Sequence, residues 1–201
     1  MRPGQFLGTG IGSSLAGGSL FPLCLTLALC PGCKKGNKQE DLPDPGVKIT
    51  LTSPAFKEGE AIPAKYTADG DNKSPPLRWA EPPKGTQSLA LICEDPDGPG
   101  GTFTHWVIFN LPPDLRQLKE GLPPADAELA NGARQGKNNF EKTGYGGPDP
   151  PPGQSHRYIF KLYALDQKLN DLAAGATREQ LNEAMKGHVL AMGQLTGRYS
   201  H

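Results

Sequence analysis

The sequence is short of three things: net charge, cysteine and long apolar runs. Its 21 Lys and Arg are offset by 21 Asp and Glu, so the formal charge is zero. That balance leaves no electrostatic footprint for nucleic acid, which is not an expected partner, or for an anionic membrane surface. The apolar stretch "LFPLCLTLAL", Leu20 to Leu29, spans only ten residues and contains Pro22, so it is too short and too broken for a spanning helix. Gly-x-Ser-x-Gly and His-Glu-x-x-His are both absent, and no other usual metal-ligand spacing stands in for them. No cofactor, metal site or recognisable catalytic engine is therefore implied. There is no internal repeat.

Charge is also missing locally. Between Arg2 and Lys34 there is none, and the apolar core inside this span has the length of a signal-peptide h-region. Residues 1–33 thus read as an export leader. Cys30-Pro31-Gly32-Cys33 could be a redox pair, but it ends an apolar leader instead of joining a strand to a helix. A lipoprotein signal fits better, with Cys30 or Cys33 as the lipid-bearing residue. The expected location is periplasmic or membrane-anchored, with membrane contact only through the leader or lipid. It is cytoplasmic if the true start lies further along. Residues 34–46 are polar and read as a linker, and 47–201 as the folded domain. Of the four cysteines, Cys24, Cys30, Cys33 and Cys93, only the last falls in that domain, so no intradomain disulfide is available. Cys93, inside "LALIC", reads as a small buried hydrophobe.

Glycine and proline are plentiful, 26 and 21 residues, and they punctuate apolar runs without forming one tract. This is the pattern of a loop-rich β protein. "VKITL" alternates at Val47, Ile49 and Leu51. "SLALIC" (88–93) and "THWVIFNL" (104–111) are nearly continuous apolar runs, suited to strands covered on both faces. "RYIFKLYAL" (157–165) and "HVLAMGQLTGRY" follow as further strands, and six or so strands are expected in all. One helix is expected, where Thr177 and Gln180 form a capping box ahead of Leu181, Ala184 and Met185. The fold class is mainly β: a β-sandwich of two antiparallel sheets with a C-terminal helix.

Four histidines are present. His201 reads as a frayed terminal residue and His188 as a cation at a helix end. His105 and His156 each sit where a Gly-rich segment becomes a strand. If those strands start at one end of the sandwich, both imidazoles edge one hollow. Asp95 and Asp97 flank Pro96 at the close of a strand; they form either a β-turn with Asx bonds or a pair of aimed carboxylates. Gly144, Gly146 and Gly147 could expose N–H groups to an anion, with the following prolines as a stiff wall. His156 and Tyr158 share one strand face, and Arg157 points the other way. An Asp/His cluster could also serve a hydrolase or a metal-dependent enzyme, although Cys93 makes a poor nucleophile.

Three motifs in order, Asp-Pro-Asp-x-Pro, Thr-His-Trp and Gly-Tyr-Gly-Gly-Pro…His-Arg-Tyr, resemble those of the phosphatidylethanolamine-binding protein family, in particular its bacterial, Raf-kinase-inhibitor-like branch. The resemblance runs from about Val47 to Tyr199. It implies a two-sheet sandwich with a small anion pocket at one end, holding Asp95, Asp97, His105, Gly147, Pro148, His156 and Tyr158. It also implies a binder or inhibitor, not a catalyst, taking a small phosphate-bearing or zwitterionic ligand; it identifies no protein partner. Several bacterial relatives carry Cys where this chain has Asp149, and a carboxylate there would repel anions.

Overall fold

Two neighbouring apolar runs organise the molecule, because each buries both of its faces. They are β3 (Ser88–Asp95) and β4 (Phe103–Leu111), paired antiparallel. The computed structural model describes Leu42 and residues 44–201. The leader, Cys30, Cys33 and most of the 34–46 linker lie outside the described residues. The other strands are β1 (Leu51–Thr52), β2 (Leu77–Trp79), β5 (Gln117–Leu118), β6 (Arg134–Gln135), β7 (His156–Leu165) and β8 (Val189–Tyr199). Among the described residues one α-helix, α1, spans Arg178–Met185.

The strands form two antiparallel sheets, one ordered β1-β2-β5 and one ordered β6-β4-β3-β7-β8. The mainly β class, the two sheets and the late helix agree with the sequence reading. In a strand, alternate side chains face opposite sides. On one side of the larger sheet, Leu89, Leu91, Cys93, Trp106 and Ile108 join the core shared with Leu51, Leu77 and Trp79 of the smaller sheet. On the other side, Ala90, Ile92, Val107 and Phe109 pack with Leu181 and Met185 of α1. A sheet buried on both faces reads as a continuous apolar run, which is why these two segments show so little alternation.

The helix begins at its capping box. Thr177 Oγ1 accepts from the Gln180 N–H, and the Gln180 side chain accepts from the Thr177 N–H. Its first residue, Arg178, is buried and donates from Nε to Glu94 Oε2 at 2.9 Å. Lys161 of β7 pairs with the other oxygen of Glu94. One carboxylate thus ties two strands of the sheet to the helix above it.

Two expectations change. The alternating segment 47–51 is mostly not a strand: it runs beside β8 through Ile49 N–H to Met192 O and Met192 N–H to Val47 O, and only Leu51–Thr52 joins the smaller sheet. Leu42, inside the stretch read as linker, packs against the helix-side core.

Candidate ligand-binding site

Antiparallel pairing gathers the site. The end of β3 lies beside the starts of β4 and β7, with Asp95 opposite Phe103 and Glu94 opposite Ile159. The end of β8 arrives at the same edge, where Tyr199 faces His156. Here a cavity of about 190 Å³ is lined by Asp95, Gly98, Pro99, Phe103, His105, Phe140, Asp149, Pro151 and His156.

His105 is buried, and its Nδ1 lies 2.7 Å from the carbonyl of Gly146. A carbonyl only accepts, so Nδ1 carries the proton and Nε2 is left as the second ring nitrogen. Burial lowers the pKa of this imidazole below its ordinary value, against the opposing pull of the Gly146 carbonyl and Asp95. His105 is therefore a neutral group at pH 7, and its Nε2 is an acceptor. Phe103, Phe140 and Tyr158 surround it, with ring centroids 5.1, 5.4 and 5.1 Å away.

His156 is held differently. Its Nδ1 donates to Asp95 Oδ2 at 2.7 Å, and its Nε2 lies 3.2 Å from Gln154 Oε1. The other oxygen of Asp95 accepts from the Asp97 N–H at 2.8 Å. Both members of the Asp95–His156 pair are buried, so the pair is a fixed wall of the cavity.

Asp97 does not join Asp95 in the cavity. Pro96 turns the chain, and the Asp97 carboxylate takes Arg157 instead, with Nε at 2.9 Å and Nη2 at 2.6 Å, and the Arg157 backbone N–H at 3.0 Å. Arg157 holds the pKa of this carboxyl down at about 2. The aimed pair of carboxylates is thus one pocket group and one surface clasp, and Arg157 points away from His156 and Tyr158 as their alternation requires.

The glycines also differ from expectation. Their N–H groups are already engaged: Gly144 with Gly136 O, Gly146 with His105 O, and Gly147 with Asn72 Oδ1 at 2.7 Å. Gly147 is needed for close approach, because a Cβ there would stand 2.7 Å from both Asn72 Oδ1 and Tyr66 O. Gly144 has φ +84°, and a Cβ there would meet Pro124 O at 2.5 Å. These residues seat the loop against its neighbours and present no nest of free donors. Pro148 is buried, and its carbonyl accepts from Ala68 N–H.

Tyr158 lies under the cavity with its hydroxyl buried and out of hydrogen-bond geometry with any described group. Burial raises its pKa well above the ordinary value, so it stays a phenol. Asp149 lines the cavity with a half-exposed side chain. His201, read as frayed, is engaged: its Nδ1 lies 2.8 Å from Asp69 Oδ2.

The sequence reading missed Phe103, Phe140, Gln154 and Asn72. Phe103 stands two residues before His105, so strand alternation alone puts it on the same face. Asn72 adopts φ +53° to meet Gly147 from 75 residues away, and nothing local signals that. Chemically, the cavity offers acceptors in Asp95, Asp149 and His105, one histidine held by a carboxylate, and apolar walls. Burial pushes the Cys93 thiol far up, so it supplies no thiolate. Among the described residues no three His, Cys, Asp or Glu side chains gather to hold a metal ion, and no helix is long and apolar enough to cross a membrane.

Comparison with known proteins agrees with this architecture. A UPF0098 protein of Methanothermobacter thermautotrophicus is 51% identical over 151 residues, covering 75% of this chain and 98% of the relative. UPF0098 protein YbhB of Escherichia coli is 38% identical over 76% of this chain and all of its own length. Among solved structures, a phosphatidylethanolamine-binding protein homologue from Chlamydia trachomatis superposes with a TM-score of 0.69 at 42% identity, covering 77% of this chain and 98% of that one. Escherichia coli YbcL, described as a member of the mammalian PEBP family, gives 0.72 at 29% identity, covering 77% and 99%. The family model for phosphatidylethanolamine-binding protein matches residues 52–200, and with it the chain belongs to the phosphatidylethanolamine-binding protein family.

Proposed function

We propose that this chain is a non-catalytic binding protein whose pocket takes a small headgroup-like solute, one that joins a phosphate to an ammonium. The observation that carries this reading is the composition of the cavity: Asp95, Asp149 and neutral His105 as acceptors, His156 held against Asp95, and aromatic and proline walls. Three acceptors favour a ligand that brings hydrogens, as an ammonium or a protonated phosphate oxygen does. His156, fixed through Nδ1 by Asp95, turns its Nε2 edge toward the anionic end beside the Gln154 side chain. The volume of about 190 Å³ is below the range of about 300–1,000 Å³ typical of drug-sized ligands, which suits a headgroup. Family membership supports a binding role of a regulatory kind, such as inhibition of a partner enzyme. If residues 1–33 act as an export leader, that role lies outside the cytoplasm, away from cytosolic kinases.

Calorimetric titration with phosphoethanolamine, and with inorganic phosphate alongside it, tests the reading. His105→Ala and His156→Ala are each expected to weaken phosphoethanolamine binding by about tenfold or more, since each removes a hydrogen bond to a charged group. Unchanged affinity in both variants would overturn the proposal, as would steady hydrolysis of phosphoesters that disappears in His156→Ala.

A further inference from the structure

At the mouth of the pocket one histidine stands between two carboxylates. We propose that His201 sets which charge the pocket accepts: it is the counter-charge of Asp149, and through Asp149 the positioning residue for the anionic end of a ligand. The proposal rests on the reading of the cavity as a headgroup site.

The geometry follows from the sheet. Because Tyr199 of β8 faces His156 of β7, the chain beyond β8 emerges at the pocket rim. There Asp69 Oδ2 receives the Tyr199 hydroxyl and also His201 Nδ1 at 2.8 Å. This leaves the far nitrogen of the ring, Nε2, 3.6 Å from Asp149 Oδ1. The groups that face the imidazole are therefore Asp69 from the segment after the short 3-10 turn Ala64–Tyr66, Tyr199 from β8, and Asp149 from the Gly/Pro segment. Only Asp149 also lines the cavity.

The cavity needs such a counter-charge. Its wall holds two carboxylates, Asp95 and Asp149. Asp95 is already taken by His156, and buried His105 is neutral. Left bare, Asp149 repels a phosphate at the only half-exposed acidic position of that wall. An imidazolium at His201, shared with Asp69, offsets part of that charge without occupying the cavity. With His201 set against Asp149 the rim is open to an anion; without it the rim favours a cation or a neutral donor.

The test uses ethanolamine O-sulfate, whose anion keeps its charge across the histidine range, beside phosphoethanolamine. Binding is measured by calorimetry at low salt, from about pH 6 to about pH 8. His201→Ala is expected to weaken binding of both probes at the acidic end by about two- to fivefold, the scale of one exposed ion pair. His201→Lys retains the affinity, and in Asp149→Asn the binding of both probes no longer depends on His201. The decisive comparison is His201→Ala made on top of Asp149→Asn, where it has no further effect. An equal loss from His201→Ala with and without Asp149, or no rescue by Lys, shows a merely structural role and overturns the inference. If the wild type binds the probes and His201→Ala changes nothing, this inference alone falls. If the wild type binds neither probe, the headgroup reading falls with it.

Discussion

Pro96 turns the chain between two carboxylates, so Asp95 accepts from His156 inside the pocket while Asp97 grips Arg157 on the surface. Removing one should therefore spoil binding, and removing the other should not. Asp97→Asn is expected to lower stability by about 0.5–1 kcal/mol, a modest figure because both partners are partly exposed, and to leave ligand affinity unchanged. The sign with pH is fixed by the depressed carboxyl. Its folded value, about 2, lies below the unfolded value of about 3.9. The pair's contribution is fully present above about pH 4 and fades as the pH falls through about 2. Urea melts of wild type and variant should differ at neutral pH and converge in acid; a constant gap would refute the assignment. Period-two alternation correctly placed His156 and Tyr158 on one face, because both lie within a continuous strand. Asp95 and Asp97, which the sequence left as either an Asx-bonded turn or an aimed pair, form the turn, with Asp97 N–H on Asp95 Oδ1 and the two carboxylates apart.

At the scale of elements, long runs were legible and short ones were not. β3, β4, β7 and β8 have 8 to 11 residues each, enough to show a pattern, whereas β1, β2, β5 and β6 have only two or three. Two residues carry no period, so tertiary pairing alone defines those strands. The helix was legible from its capping box, but not what fastens it. Glu94, Arg178 and Lys161 come from β3, α1 and β7, and no local motif joins them. Glu94→Gln leaves two largely buried cations without their shared carboxylate. The expected cost is about 3 kcal/mol, measured as a lower urea midpoint at constant slope. A loss below about 0.5 kcal/mol would mean that the cations re-pair at little cost.

At the scale of the whole molecule, the larger sheet lies between two cores, and Cys93 sits on the side shared with the smaller sheet. Its thiol can meet a reagent only when the sandwich opens. Alkylation at Cys93, followed by peptide mapping, should be slow in native buffer and accelerate with urea in step with global unfolding. Rapid native labelling would reveal a local opening of β3 instead. The loop from Gly144 to Pro148 belongs to this same scale, since its backbone is spoken for by Gly136, His105, Asn72 and Ala68. A wall whose glycine N–H groups are committed to the scaffold has little of its own to say about a ligand. That vocabulary is left to the side chains hung on it, Asp149 above all. A substitution at Asp149 would alter the cavity wall without touching the hydrogen bonds that seat the loop.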